Sequence, residues 1–227
     1  MANTHRKLPG SLLCWLPLLF LASHAHADEC DQLPKPSVTV KRLDQPITLN
    51  TTYSYKSLTN IGASVARPNQ QVLGLTRGNA VVSFASKTPT FVDATRRWEC
   101  ASPQITVTYG FSPMTVYVAR EFPQGGCAYK EIHEHEMRHV KTYQTHMASI
   151  EKALSETLNE RFATGAPWRG PLGQTAAKLQ RELDERWLPY IQRELKRVET
   201  AQALIDTPEE YERVANACGG EIRKRTR

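Results

Sequence analysis

The sequence lacks any apolar run of the roughly 20 residues that a membrane-spanning helix requires. The apolar stretch at Ser11–Ala22 is shorter than that and is broken by Pro17. Internal repeats and low-complexity tracts are also missing, which excludes a repeat array and a disordered chain. The excess charge of one sign is small: 29 basic residues against 23 acidic give a formal +6. No Cys-x-x-Cys pair occurs, which argues against a thiolate metal site. What is there is ordinary globular composition, 40% hydrophobic and 23% charged over 227 residues. That is enough chain to bury a core of its own in one domain.

Residues 1–27 read as a signal peptide. His5, Arg6 and Lys7 form a basic start, the Ser11–Ala22 run follows, and Ala25-His26-Ala27 supplies a small-x-small cleavage site. Without this segment the chain loses two basic residues and no acidic ones, leaving 27 against 23, or +4. The expected location is therefore periplasmic or secreted, with no stable membrane insertion and no nucleic-acid partner. Four cysteines remain, Cys30, Cys100, Cys127 and Cys218. An even count in an exported protein implies two disulfides. Three pairings are open, and Cys100–Cys127 with Cys30–Cys218 is favoured, the first clipping a β-rich segment and the second tying the chain ends.

The texture of 28–227 predicts one α+β domain, a β-rich layer over 37–122 followed by a helical hairpin over 128–217. Ile105, Val107 and Tyr109 alternate with Thr106 and Thr108, and Val116 and Val118 alternate with Thr115 and Tyr117. That period-two pattern with β-branched residues is a strand signal. Gly74, Gly78, Gly110 and Pro113 read as turns between short strands. A short helix is expected from Ser57, with Leu58, Ile61 and Val65 on one face. From about residue 130 to 163 the period becomes helical, through Ile132, Val140, Met147, Leu154, Leu158 and Phe162. Breakers at 165–173 separate this from a second helical run over 176–198 that Pro189 should interrupt. A third helix starts at Asp206 or Thr207, with Pro208 in its first turn.

Four histidines lie outside the leader, and all fall within fourteen residues: His133, His135, His139 and His146. Among them His135-Glu136-Met137-Arg138-His139 fits H-E-x-x-H. On a helix, residues i and i+4 differ by about 40° in direction and about 6 Å in rise, so both imidazoles can converge on one zinc ion. Ile132 and Val140 lie four residues to either side of Glu136 and turn it toward the core. A carboxylate placed there is expensive unless paired or functional.

These residues resemble the zincin metallopeptidases, whose hallmark is an active-site helix carrying H-E-x-x-H. The layout of leader, β-rich half with cysteines, and H-E-x-x-H helix followed by more helix is similar to bacterial predicted secreted zinc-dependent proteases. The resemblance implies His135 and His139 as zinc ligands and Glu136 as the general base that activates water for peptide hydrolysis. Arg138 and Lys141 are unusual charges for such a helix. The extended motif with a third histidine is not met, since Thr142 and Thr145 stand at its glycine and histidine.

A catalytic zinc needs a third protein ligand. His146 lies about 10 Å further along a continuous helix, too far for the same ion. If the helices pair about residues 167–168, His135–His139 face roughly 196–200. Glu194 is then the first candidate and Glu199 the second, with pairing to Arg197 or Lys141 as the structural role for Glu194. Tyr143, one turn after His139, is a core tyrosine or a donor to the reaction centre, and His133 points away. The expected function is zinc-dependent hydrolysis of a peptide or protein substrate, with a cell-wall amide as a weaker possibility. The alternative is a non-enzymatic envelope protein with a structural or vestigial metal site that presents its helical hairpin to a partner.

Overall fold

The computed structural model describes residues 28–64 and 70–226. The expected signal peptide at 1–27 and Val65 lie outside the described residues. The architecture is α+β, with the sheets in the N-terminal part and the helices in the C-terminal part.

The main sheet is organised by β6 (Gln104–Val118), which alternates buried Ile105, Val107, Tyr109, Met114, Val116 and Val118 with half-buried threonines. On one side β6 pairs antiparallel with β3 (Gly74–Lys87) over its whole length. On the other it pairs in parallel with β1 (Ser37–Arg42) and then β2 (Thr48–Asn50). Gly110 and Pro113 are thus strand residues, and Gly74 and Gly78 belong to β3, so the expected turns do not form. Close packing is the reason glycine stands at 110. A Cβ there would lie 3.0 Å from Leu43 Cβ and 3.1 Å from Met147 Sδ. A small second sheet joins β4 (Thr90–Asp93), β5 (Trp98–Ala101) and β7 (Trp168–Pro171) in the order β4–β5–β7. β7 falls in the region read as breakers.

The helix α1 (Tyr55–Ile61) begins at Ser54, whose hydroxyl accepts the Ser57 N–H at 3.1 Å. α2 (Cys127–Phe162) runs for 36 residues, about 54 Å, and lies across β1, β6 and β3. Its buried stripe is Ala128, Ile132, Val140, Met147, Leu154, Leu158 and Phe162, with His135, Glu136 and His139 in the same stripe. The second helical run comprises α3 (Thr175–Glu182), a π-helical turn at Leu183–Trp187, α4 (Leu188–Lys196) and α5 (Val198–Ala203). The π turn sits just before Pro189, which supplies no N–H, and the Leu188 N–H reaches back to the Leu183 carbonyl. α6 (Pro208–Arg225) starts at Thr207, whose hydroxyl accepts the Glu210 N–H at 3.2 Å. It is broken at Ala217–Gly220, where Cys218, Gly219 and Gly220 all have left-handed φ.

Two disulfides form, Cys30–Cys100 and Cys127–Cys218, which corrects the favoured pairing. The segment after Asp28 docks on the small sheet through an Asp28–Arg169 ion pair and a hydrogen bond from Ser102 to the Pro34 carbonyl. That brings Cys30 to Cys100 in β5. The start of α2 meets the break in α6, which brings Cys127 to Cys218. Among the described residues no helix is long and apolar enough to cross a membrane.

Candidate metal centre

His135 and His139 are each 8% exposed on the face of α2 that turns toward the α5–α6 link. Their Nε2 atoms lie 3.2 Å apart. Asp206, in the link just before the Thr207 cap, brings Oδ1 to 3.1 Å from His135 Nε2 and 3.3 Å from His139 Nε2. Zinc bonds of about 2.0–2.1 Å put tetrahedral ligands about 3.3–3.4 Å apart, close to this triangle. His135, His139 and Asp206 therefore form a group able to hold a metal ion.

The far sides of both rings are also held. His139 Nδ1 lies 2.6 Å from Gln202 Oε1, and the Gln202 amide nitrogen donates to the His139 carbonyl at 3.2 Å. The glutamine is pinned by both ends, so Nδ1 carries a proton, and Nε2 is the nitrogen that faces Asp206, donating to it when protonated and able to ligate a cation when not. His135 Nδ1 lies 3.2 Å from Glu210 Oε1 and 3.0 Å from Arg138 Nη2. A cation on His135 Nε2 selects the tautomer that donates from Nδ1 to Glu210. Arg138 and Arg213 both pair with Glu210, and Arg213 also pairs with Glu131. Arg138 is thus accommodated as a clamp on the carboxylate behind His135, outside the metal pocket.

The electrostatics favour a cation. Burial opposes ionisation of Asp206, but hydrogen bonds to His135 and His139 outweigh it and hold the carboxyl far below its ordinary range. Burial likewise disfavours charged His139, yet Asp206 and Glu136 raise its pKa. Glu210 is held at about 2, by Arg213 first and by Arg138 and His135 after it, against its own burial.

Glu136 is 3% exposed. The Thr76 hydroxyl lies 2.8 Å from its Oε2 and 3.1 Å from its backbone carbonyl. Burial raises the Glu136 pKa against the pull of His139, His135 and the Thr76 bond. Gly74 makes room for it: a Cβ there would lie 2.5 Å from Glu136 Oε1 and 2.7 Å from Ile132 Cγ2. A cavity of about 520 Å³ opens beside these groups, lined by His135, Glu136, His139, Asp206, Tyr143 and Tyr211, among others. Tyr143 packs its ring on Phe111 at 4.5 Å while reaching this lining.

The structure brings together His135, Glu136 and His139 and keeps the other expected ligands apart. Glu194 pairs with Arg197 at 2.8 Å and does not line the cavity, Glu199 is exposed, and His146 donates to the Glu194 backbone carbonyl at 2.8 Å. His133 stacks on Tyr129 away from the pocket. The expected pairing of the helices was displaced. His139 with Gln202 and His135 with Asp206 are both centred between residues 170 and 171, about three later than 167–168. β7 and the π turn shift the register. Asp206 was legible only as a cap-region residue before Thr207-Pro208, and nothing in the spacing of Gln202, Glu210 or Thr76 marked them. Comparison with protein-family models, with curated proteins and with solved structures finds no match.

Proposed function

We propose that the chain is an exported zinc-dependent metallopeptidase, with His135, His139 and Asp206 as ligands and Glu136 as general base. The observation that carries this reading is the convergence of three ligand atoms 3.1–3.3 Å apart beside a buried carboxylate in an open cavity. Two imidazoles and one carboxylate suit zinc, and three protein ligands leave the open position typical of catalytic sites. Zinc bound there supplies Lewis acidity, polarising a carbonyl and lowering the pKa of water. Glu136 takes the proton of the attacking water and passes it to the leaving amine. Its raised pKa suits both halves of that transfer. Thr76 holds one carboxylate oxygen and leaves the other for the proton. Gln202 and Glu210 hold the two imidazoles in the ligating orientation. Among the described residues β3 pairs on one side only, and its Gly74–Thr76 stretch lines the cavity, which suits an extended peptide laid beside the reacting groups.

Two disulfides fit an oxidising compartment, and the 1–27 pattern supports export. A closed set of four ligands would favour the non-enzymatic alternative with a structural site, whereas the described residues supply a group of three. The test is Glu136→Gln, assayed for zinc content and for cleavage of an unfolded protein substrate. The variant is expected to keep zinc and lose cleavage; equal cleavage by variant and parent contradicts the mechanism.

A further inference from the structure

A second cavity, of about 430 Å³, opens between the end of α2, β7 and α3. Four cationic side chains line it, Arg161, Arg169, Lys178 and Arg181, and among the described residues no carboxylate does. Trp168 forms part of its wall, with the Arg161 guanidinium carbon 4.9 Å and Lys178 Nζ 5.8 Å from the ring centroid. These cation–π contacts fix the charges in place. Arg161 is held further by two hydrogen bonds to Glu182 at 2.6 and 2.5 Å, and Arg169 by its ion pair with Asp28 and its place over the Trp98 ring. Glu182 and Asp28 offset two of the four charges from outside the cavity wall. Neither Lys178 nor Arg181 is ion-paired among the described residues. Glu99 lies behind the Thr175 wall and accepts that residue's hydroxyl and N–H, so the hollow keeps a net positive charge, carried by Lys178 and Arg181, and Gln174 adds an exposed amide able to donate.

We propose that this cavity is a binding site for a doubly charged phosphate, free or as the monoester of a sugar. Arg161 and Arg169 present planar donors suited to phosphate oxygens, and Lys178 and Arg181 supply the uncompensated charge. The site is separate from the metal centre, since none of its lining residues borders that cavity.

The experiment is calorimetric titration of the purified protein with inorganic phosphate and with glucose 1-phosphate at constant ionic strength, beside the Lys178→Ala/Arg181→Ala double variant. Both residues are exposed, so the fold is expected to survive, and the melting temperature checks it. The expected result is saturable binding that the double variant weakens by about tenfold or more, with peptide cleavage unchanged. Equal binding of the two ligands assigns the site to the free anion; tighter ester binding assigns it to a phosphorylated sugar. No saturable heat with either ligand overturns the proposal, as does binding that the double variant leaves intact, which would place the phosphate elsewhere, including on the metal.

Discussion

Two glutamates in this molecule are both closed to solvent, Glu99 at shallow depth and Glu136 deep, and have opposite surroundings. Glu99, in the small sheet, is 4% exposed; Glu136, on the long helix, is 3% exposed. Glu99 takes hydrogen bonds from the Thr175 hydroxyl at 2.6 Å, the Thr175 N–H at 2.8 Å and the Gly173 N–H at 2.7 Å. The Thr175 bonds lead in holding its pKa below the ordinary value, against burial. It caps the start of α3 and ties the small sheet to the helical half. Glu136 has one protein hydrogen bond to its carboxylate among the described residues, from Thr76, and burial raises its pKa. A buried carboxylate that is fully hydrogen-bonded is a joint. One left half-satisfied at a cavity wall, beside two imidazoles, is poised to exchange a proton.

The sharpest way to break this comparison is to neutralise each glutamate in turn. Glu136→Gln should lower peptide hydrolysis by about 10²–10⁴-fold while leaving zinc content and melting temperature near those of the parent. Glu99→Ala should do the reverse. Losing a carboxylate that anchors three donors should cost about 2–3 kcal/mol of stability, read by urea unfolding, with hydrolysis per folded molecule unchanged. A Glu99→Ala protein that is stable but inactive would erase the distinction.

Smaller effects sharpen it. On the proposed function, Glu210 orients His135 from behind without reaching the zinc, so Glu210→Gln should weaken zinc affinity by about 10–100-fold in chelator competition, with kcat at saturating zinc largely retained. The smallest effect is in acid. The Glu99 pKa is lowered on folding from an ordinary value of 4.5, so its contribution is fully present above pH 4.5 and fades as pH falls through the folded value. Between pH 5 and pH 3 the parent should therefore lose more stability than Glu99→Gln. Parallel losses in the two proteins would show that Glu99 is not a source of the acid sensitivity.

The same contrast explains what could be read from the sequence. The β-then-α order and the long helix follow from periodicity, because each buried stripe leaves its mark every two residues or every three to four. The turn of Glu136 toward the core followed from Ile132 and Val140, four residues to either side. Asp206 did not follow, because the partner of a helical face depends on the path between the helices. There a strand at Trp168–Pro171 and a π turn at Leu183–Trp187 moved the register and put Glu194 beside Arg197 instead. Two disulfides form as expected, but the favoured pairing failed for the same reason: spacing cannot say that Cys30 docks on β5 while Cys127 meets the break in α6. Gly110 misled as a turn because the need for glycine came from Leu43 and Met147, distant in the chain.

The most direct measurement is the zinc content of the purified protein by elemental mass spectrometry, with Asp206→Ala and Glu194→Ala measured beside it. About one zinc per chain in the parent and in Glu194→Ala, with loss in Asp206→Ala, is the predicted result. No zinc in the parent after reloading and dialysis, or zinc kept without Asp206 and lost without Glu194, would contradict the site.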